Sequence, residues 1–438
     1  MATPTAHRIG PAACAIVLAL GLSACGGGSG GTHTQGSPSS SAAGSTHSAR
    51  KSFDPPLRFV EANQEDELSK AQQPSTDSDN DTSPALTLAD GVAYVTGENG
   101  LTAIDTQSGR ALWNAAPTNG HDLAGFGTSR AAPLIVKGTT TTVFAAYATT
   151  VKGQGTTPDK DVLEVFGANA ASGKKVFGTQ FAYPVLKTDL SGEADELAAD
   201  HVLDAPIVVA ADETNIVVAQ KGITYIVDRA TGKLRWFRVN FRAISLSNGV
   251  VAGSENPDYE KGQLAGYRLD TGAHVWTAAK GDVPTASSAG PGLIAADVDT
   301  DQSLTIFDAV TGVQRARVPF GQQGGAESGG LEGCAYDQQA ITVCELRGAI
   351  AGFDVSKPGS VTKLWVLQPS SDRVVPRVNT VWHSALYGET DNGPVILDAR
   401  TGKDRATDPG AEVFAVDQYG GLAENDGDGS ITAYTATG

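Results

Sequence analysis

The sequence predicts an all-β fold built from eight similar units, and three observations support this prediction. A motif of strand, turn and strand recurs along the chain, as in NGLTAIDTQSGRALW at residues 99–113. Between the copies, β-branched residues, period-two alternation and Gly, Asn or Asp turns continue, which is typical of strands. A helical periodicity is confined to one stretch near residues 192–199, where we expect a short helix.

The clearest copies of the motif place an acidic residue, a glycine and an aromatic residue at fixed offsets, whereas two copies end in Ala316 and Ala406 at the aromatic position. In the first copy these are Asp105, Gly109 and Trp113. The carboxylate can accept hydrogen bonds from its own turn, the glycine can take a positive φ, and the indole offers a large surface for packing. In a degenerate copy, Phe177 follows Gly173 at the Trp offset. The clearest further copies contribute Asp228, Gly232, Trp236, Gly272, Trp276, Asp308, Gly312, Asp398 and Gly402.

Eight turn glycines mark the repeats, two of them in weakened copies. They are Gly109, Gly173, Gly232, Gly272, Gly312, Gly359, Gly402 and Gly438. Residues 53–438 therefore hold about 48 residues per repeat, which is close to the length of a propeller blade.

This register resembles the repeat of the pyrroloquinoline-quinone-type β-propellers, in which Asp, Thr-Gly and Trp recur at fixed offsets. The resemblance implies one β-propeller domain over residues 53–438, with eight four-stranded blades that the motif docks on one another. A seven-bladed ring with one repeat misread is the alternative. The strands expected in the first blade are Ala85–Ala89, Val92–Thr96, Leu101–Asp105 and Ala111–Asn114.

The last repeat stops at Gly438, before the outer strand that should follow its turn. An unpaired strand edge must be covered, and propellers usually close their ring with strands from both chain ends. The segment Leu57–Ala62, LRFVEA, lies upstream of the first blade and has the composition of a strand. We therefore expect this N-terminal strand to complete the last blade.

The N-terminal residues read as an export signal. Residues 1–24 have a weakly basic start and a short apolar run, which suit a signal peptide and are too short for a membrane span. Leu22 to Cys25 resembles a bacterial lipobox, which implies a lipid on Cys25 and an extracytoplasmic location at the cell membrane. Residues 25–52 are rich in Gly and Ser and are expected to form a flexible tether. An ordinary secretory signal cleaved elsewhere, and a cytosolic helix, are the alternatives.

Composition restricts the partners. The chain has 32 Lys and Arg against 49 Asp and Glu, a net charge of −17. Such an acidic surface argues against nucleic acid and anionic lipid headgroups as partners and favours a soluble monomer.

Cys334 and Cys344 lie on a hairpin whose register places them opposite each other, so we expect a disulfide in an exported protein. A metal-binding or reactive thiol pair is the rival interpretation.

The resemblance also raises quinone-dependent dehydrogenase chemistry. In those enzymes the quinone lies on a Trp floor beneath adjacent cysteines, beside a Ca²⁺ ion. This sequence has no Cys-Cys pair, and three of its five Trp residues are assigned to docking, while Trp365 and Trp382 could be core or line the channel. Asp77, Asp79 and Asp81 match only half of a calcium loop, and residues 425–429 suit a turn. We expect no quinone, no metal and no catalytic residues.

The function expected from the resemblance is protein binding. The group includes the BamB-type assembly factor, whose propeller recognises proteins through loops on one face. Long insertions in the second and third blades at 121–130, 152–161 and 181–204 are therefore the expected partner-binding loops. The candidate residues on them are His121, Asp122, Arg130, His201 and Asp204. A ligand sensor that uses the central funnel is the second hypothesis, and the quinone-dependent dehydrogenase is the third.

Overall fold

The computed structural model describes residues 50–62, 68, 85–97, 99–119, 131–182, 205–220, 222–256, 262–281, 285–297, 303–319, 330–346, 348–369, 372–425 and 430–438. The chain divides into two units, residues 1–49 and Arg50–Gly438. All described residues belong to the second unit, and every element with bounds in these ranges is a β-strand.

Thirty-two strands form eight four-stranded sheets, which we number as blades in chain order. Blade 1 contains β2 (Leu86–Ala89), β3 (Val92–Gly97), β4 (Gly100–Asp105) and β5 (Ala111–Ala115). Blade 2 contains β6 (Leu134–Val136), β7 (Thr142–Val151), β8 (Lys160–Asn169) and β9 (Lys175–Ala182). Blade 3 contains β10 (Ile207–Ala211), β11 (Asn215–Gln220), β12 (Ile223–Asp228) and β13 (Leu234–Val239). Blade 4 contains β14 (Phe241–Ser247), β15 (Val250–Glu255), β16 (Gly262–Arg268) and β17 (His274–Gly281).

The remaining blades repeat this order. Blade 5 contains β18 (Ala286–Ser288), β19 (Leu293–Asp297), β20 (Ser303–Asp308) and β21 (Gln314–Pro319). Blade 6 contains β22 (Leu331–Tyr336), β23 (Ile341–Leu346), β24 (Ala349–Asp354) and β25 (Thr362–Leu367). Blade 7 contains β26 (Arg377–Trp382), β27 (Ala385–Thr390), β28 (Gly393–Asp398) and β29 (Asp404–Ala406). Blade 8 contains β30 (Ala415–Asp417), β31 (Gly420–Glu424), β32 (Ile431–Ala436) and the N-terminal β1 (Phe59–Glu61).

The sheets form an eight-bladed β-propeller. Within each blade the strands are antiparallel and follow one another in chain order, apart from β1 in blade 8. From blade 2 to blade 8, the first strands of neighbouring blades pack against one another, and β2 of blade 1 meets β30 of blade 8 where the ring closes. The prediction of eight blades is confirmed, and the seven-bladed alternative is wrong.

Blade 8 closes the ring as the sequence predicts. The N-terminal strand β1 pairs antiparallel with β32, with Phe59 opposite Ala436 and Glu61 opposite Tyr434. Phe59 is buried and meets Tyr387 of blade 7 edge to face, at 6.0 Å between ring centroids. The edge that the last repeat leaves open is therefore covered by the chain itself.

The core lies between blades. All six residues of β11, NIVVAQ, are buried because each blade packs on a neighbour with both faces. Between blades 3 and 4, for example, Val217 and Ile226 pack with Phe241, Val251 and Tyr267. The strands of blade 1 lie within one residue of the predicted bounds, whereas the expected helix near 192–199 lies outside the described residues.

Candidate functional site

The antiparallel blades divide the connections between strands into two sets, one at each face of the ring. One side of the ring, which we call the turn face, carries the connections from the first to the second strand and from the third to the fourth strand of each blade. The opposite side, which we call the loop face, carries the connections from the second to the third strand and from the fourth strand to the first strand of the next blade. Turn-face connections contain two to seven residues, whereas the loop-face connections after β5 and β9 span residues 116–133 and 183–206. Length variation is therefore concentrated at the loop face.

A projecting hairpin on blade 2 is the best described part of the loop face. Strands β7 and β8 each have ten residues, whereas the second and third strands of blade 3 have six. The hairpin extends about 13 Å further, because a strand rises about 3.3 Å per residue. At its tip, Asp159 accepts a 2.8 Å hydrogen bond from the Gly153 N–H and pairs with Lys152 at 3.3 Å. The Gly153 N–H holds the pKa of the Asp159 carboxyl below its usual range.

The tip is ordered by these contacts and remains accessible. Residues 154–160 are exposed, and the Thr157 N–H donates to the Gln154 carbonyl at 3.0 Å. One of the three predicted partner-binding insertions, 152–161, is thus a defined protrusion on the loop face.

A buried carboxylate fixes the start of the connection after β5. Glu164 on β8 is 1% exposed and accepts hydrogen bonds from the Thr118 N–H at 2.7 and 2.9 Å and from its hydroxyl at 2.8 Å. The Gln180 side chain donates to the same carboxylate at 2.9 Å, and the Lys175 ammonium lies at 3.6 Å. A buried charge requires such partners. Sequence reasoning missed Glu164, because nothing in a strand residue signals a partner 46 positions earlier.

The candidate residues on the other insertions are not placed by the structure. His121, Asp122, Arg130, His201 and Asp204 lie outside the described residues. The strands that flank them, β5 and β6 on one side and β9 and β10 on the other, end and begin at the loop face.

A carboxylate and arginine cluster lies on the loop face of blades 6 to 8. Arg377 donates to Glu389 at 2.9 Å and to Glu412 at 3.1 Å. The Val378 N–H donates to Glu345 at 3.0 Å. Burial raises the pKa of Glu345 to about 7, with Glu332 adding to the rise and the Val378 N–H and Arg377 opposing it. The protonation of Glu345 therefore changes near neutral pH.

The aspartates of the repeated motif hold their own turns. Asp105 accepts hydrogen bonds from the Gln107 and Ser108 N–H groups at 3.1 and 2.8 Å. Burial raises the pKa of Asp105, but the N–H and hydroxyl of Ser108, together with Arg50, outweigh it and leave the pKa below its usual range. Asp228, Asp308 and Asp398 anchor their turns in the same way. Seven turn glycines have φ between 66° and 71°: Gly109, Gly173, Gly232, Gly272, Gly312, Gly359 and Gly402.

Each docking Trp reaches the turn of the next blade. The Trp113 indole N–H donates to the Ala170 carbonyl at 2.9 Å, and its ring covers Gly173 so closely that a Cβ there would lie 2.7 Å away. Trp236 and Trp276 make the equivalent bonds to Leu269 and Ala309.

Trp365 is a docking residue that the sequence analysis left unassigned. Its indole donates to the Ala399 carbonyl at 2.9 Å and covers Gly402. It lies six residues after Gly359 instead of four, because the turn in blade 6 is two residues longer, but it occupies the same register opposite Gly352. Aligning the copies on the fourth strand would have found it.

Phe177 departs from the motif. Its ring packs on Phe144 of its own blade at 6.4 Å. Thr179 takes over the contact with the next turn, because its hydroxyl donates to the Gly232 carbonyl.

The disulfide is present as predicted. Cys334 on β22 and Cys344 on β23 face each other in register and are bonded. The disulfide cross-links the two innermost strands of blade 6, and Cys344 is fully buried.

The residues do not fit a quinone held on a Trp floor. Four of the five Trp residues are engaged in docking, and the fifth, Trp382, packs with Phe59 and Tyr387 and stacks on His383 at 3.7 Å. The two cysteines are ten residues apart and bonded across strands. Among the described residues, no three His, Cys, Asp or Glu side chains come together in a way that could hold a metal ion.

One cavity of about 210 Å³ lies among the described residues of blade 7. It is lined by β28, the start of β29 and the segment 373–376, with Val374, Val395 and Leu397 as its apolar walls. This position is at the outer strands of the blade, away from the first strands that form the inner ring. The calcium-loop residues Asp77, Asp79 and Asp81, and residues 426–429, lie outside the described ranges.

The predicted lipid site at Cys25 also lies outside the described residues, because these begin at Arg50. Over the part of the chain that the structure covers, none of the helices has the length and hydrophobicity needed to span a bilayer. Arg50, which the sequence analysis assigned to the tether, is bound to blade 1: its guanidinium pairs with Asp105 and donates to the Gly91 carbonyl at 3.0 Å.

Comparison with known proteins agrees with the repeat pattern. The family described as outer membrane protein assembly factor BamB matches residues 67–278, which hold the clearest copies of the motif. The resemblance to the quinone-type repeat propellers is confirmed. No curated protein matches the chain in sequence.

Solved structures show more distant similarity. BamB from Moraxella catarrhalis is 17% identical, with 71% of this chain and 83% of that chain covered and a TM-score of 0.39. Hsv2p from Kluyveromyces lactis is 10% identical, with 80% and 96% covered and a TM-score of 0.40. These values are too low to support conclusions about function.

Proposed function

We propose that this protein is a lipid-anchored, extracytoplasmic β-propeller that acts as a monomeric, non-catalytic scaffold and binds a protein partner through its loop face. The observation that carries the proposal is topological. All three insertions expected to bind a partner belong to loop-face connections, and the described one forms an exposed hairpin tip at 154–160. Binding residues are disproportionately found on loops that a rigid scaffold positions.

The family match supports the protein-binding part of this proposal. Its description names an assembly factor for outer membrane proteins, and assembly requires contact with other proteins. We transfer only this protein-binding role to the present chain. The anchoring part rests on the lipobox that ends at Cys25.

Photocrosslinking from two faces of the same blade tests the binding surface. A photoreactive phenylalanine analogue replaces Thr156 at the hairpin tip in one variant and Thr139 in the turn-face connection of blade 2 in the other. Both residues are exposed. Irradiation of native membranes should yield a discrete crosslinked protein from position 156 and not from position 139. Equal yields from both positions, or no adduct from position 156, would contradict the proposal.

Two further measurements test the anchor and the lack of catalysis. A Cys25→Ala variant should be lost from the membrane fraction, and retention of this variant there would contradict lipid anchoring.

Calorimetric titration of the mature protein with pyrroloquinoline quinone, with and without Ca²⁺, should give no binding heat. Saturable, Ca²⁺-dependent binding near one per chain would instead support the dehydrogenase hypothesis.

A further inference from the structure

The chain enters the propeller on the turn face. Residues 50–58, which we call the strap, cross the turn-face connections of three consecutive blades before β1 begins. Arg50 binds Gly91 and Asp105 of blade 1, the Phe53 N–H donates to Gln418 of blade 8 at 2.8 Å, and Asp54 pairs with His383 of blade 7. Arg50, to which the predicted lipid-bearing segment is joined in the sequence, therefore lies at the turn face.

Charge is divided unequally between the two faces. The loop-face connections contain 27 acidic and eight basic residues, whereas the turn-face connections and the strap contain six acidic and eleven basic residues. The net charge of −17 thus conceals a turn face whose connections have an excess of positive charge.

The basic residues of the turn face are concentrated around the point of chain entry. Ten of the eleven lie in the strap or in the turn-face connections of blades 7, 1, 2 and 3, which flank blade 8 on both sides. We call this set the basic arc. It consists of Arg50, Lys51, Arg58, Arg110, Lys137, Lys174, Arg229, Lys233, Arg400 and Lys403.

Four members of the basic arc directly follow a turn glycine and point to solvent. Arg110, Lys174, Lys233 and Lys403 are exposed, and none forms an ion pair with another described residue. The nearby turn aspartates are already engaged. Asp105 is held by its own turn and by Arg50, and Asp228 by its own turn and by Arg235.

The two faces are far enough apart to act separately. Strands of about six residues span roughly 20 Å, while the Debye length at physiological ionic strength is about 8 Å. The acidic connections of the loop face are therefore screened from anything that touches the turn face.

From these observations, we propose that the basic arc is a docking surface for anionic lipid headgroups, so that the turn face lies on the membrane and the loop face points away from it. Two independent features support this occupant: the complementary charge, and the attachment of the predicted lipid-bearing segment in the middle of the arc. The proposal extends the proposed anchoring. It departs from the expectation drawn from net charge, because net charge averages over connections whose charges differ in sign between the two faces.

Vesicle binding tests this proposal without the lipid anchor. The protein used is residues 26–438, which contain the whole propeller and its tether and lack Cys25. Sedimentation with vesicles of phosphatidylcholine alone is compared with vesicles of phosphatidylcholine and phosphatidylglycerol in equal amounts. We expect binding to the anionic vesicles only, and weaker binding as salt is added.

Two double variants with the same change in net charge locate the surface. K174E/K233E alters the basic arc, whereas K160E/R242E alters exposed residues at the loop-face ends of β8 and β14. Each Lys or Arg at an anionic surface contributes about fivefold to partitioning, so the first variant should lose at least about tenfold. The second should change by less than about twofold.

The outcomes separate this proposal from the proposed function. If the unaltered protein does not prefer anionic vesicles, or if both double variants lose binding equally, the basic arc is not a lipid-docking surface. Neither result affects crosslinking from Thr156 or the test at Cys25. Conversely, a protein that is not lipidated could still bind anionic vesicles through the basic arc.

Discussion

At the scale of single residues, one indole makes two contacts in each docking motif that has a Trp. Its ring covers a turn glycine of the next blade, and its N–H satisfies a carbonyl in the same turn. For Trp365 these partners are Gly402 and Ala399. The glycine is required there because its φ is 67° and because a Cβ would lie 2.8 Å from the ring.

Replacement of Trp365 by alanine should destabilise the protein by about 3 kcal/mol, because a large partly buried ring and one hydrogen bond are lost. Equilibrium unfolding in urea measures this change. Trp365→Phe serves as the control and should cost less, since most of the packing remains. A loss below about 1 kcal/mol for the alanine variant would show that the ring does not dock blade 7 on blade 6.

Glu345 should make stability depend on pH. Its pKa is raised to about 7 in the folded protein, mainly by burial, against an ordinary value near 4.5. The folded state therefore binds more protons than the unfolded state between these values, so stability should fall as pH rises from about 4.5 to about 7. Above that range the penalty should remain constant.

The Glu345→Gln variant tests this dependence. The amide oxygen can still accept the Val378 N–H and carries no charge, so the variant should be more stable than the original protein at pH 8 and nearly equal at pH 5. Urea unfolding of both proteins at the two pH values measures the difference. Equal stability of the two proteins at pH 8 would contradict the assignment.

At the scale of elements, blade 8 is the point on which the ring depends. Its inner three strands come from the C-terminus and its outer strand from the N-terminus, so the chain ends are joined by a β-ladder. Without β1, the edge of β32 would be exposed to other chains.

A chain truncated to begin at residue 62 should lose this closure. We expect a marked drop in melting temperature together with aggregation, because Phe59 no longer fills its site beside Tyr387 and β32 is left as an open edge. Size-exclusion chromatography and thermal unfolding measure both effects. A chain beginning at Arg50 is the matched control and should behave as a stable monomer. Equal behaviour of the two chains would mean that β1 is dispensable.

At the scale of the whole molecule, the alternating direction of the strands divides the connections between them into two sets, one on each face. Short turns and most basic connections lie on one face, and long connections and most acidic ones lie on the other. If the turn face lies on the membrane, the loop face is free to meet a partner in the space beyond it.

Labelling of the lipidated full chain should show this orientation. A cysteine is introduced at Thr139 on the turn face in one variant and at Thr156 on the loop face in the other. If the protein is processed as proposed, each is the sole free thiol, because Cys334 and Cys344 form a disulfide, Cys25 is modified by lipid and Cys14 is removed with the signal peptide. A membrane-impermeant maleimide applied to the external side of anionic membranes should react severalfold more slowly at position 139. The difference should shrink at high salt, because screening weakens headgroup contacts. Equal rates at low salt would rule out the orientation.

The sequence by itself determined the repeat and much that follows from it. The offsets of Asp, Gly and Trp, the two cysteines spaced for a hairpin, and the strand-like LRFVEA segment are local patterns, so eight blades, the disulfide and the closing strand could be predicted. The docking role of Trp365 was missed because a longer turn displaced it from the expected offset. The spacing between a turn glycine and the following Trp indicates the position of the Trp on its strand only when the turns have the same length.

Only the tertiary structure decided which residues from distant parts of the chain share a surface. Glu164 meets Thr118, and Arg50 meets blade 1, through contacts between residues 46 and 55 positions apart, which no local pattern encodes. The difference in charge between the turn-face and loop-face connections also depends on which distant parts of the chain share a surface. Net charge is a sum over the chain, whereas the field at a face depends on which connections strand alternation brings there.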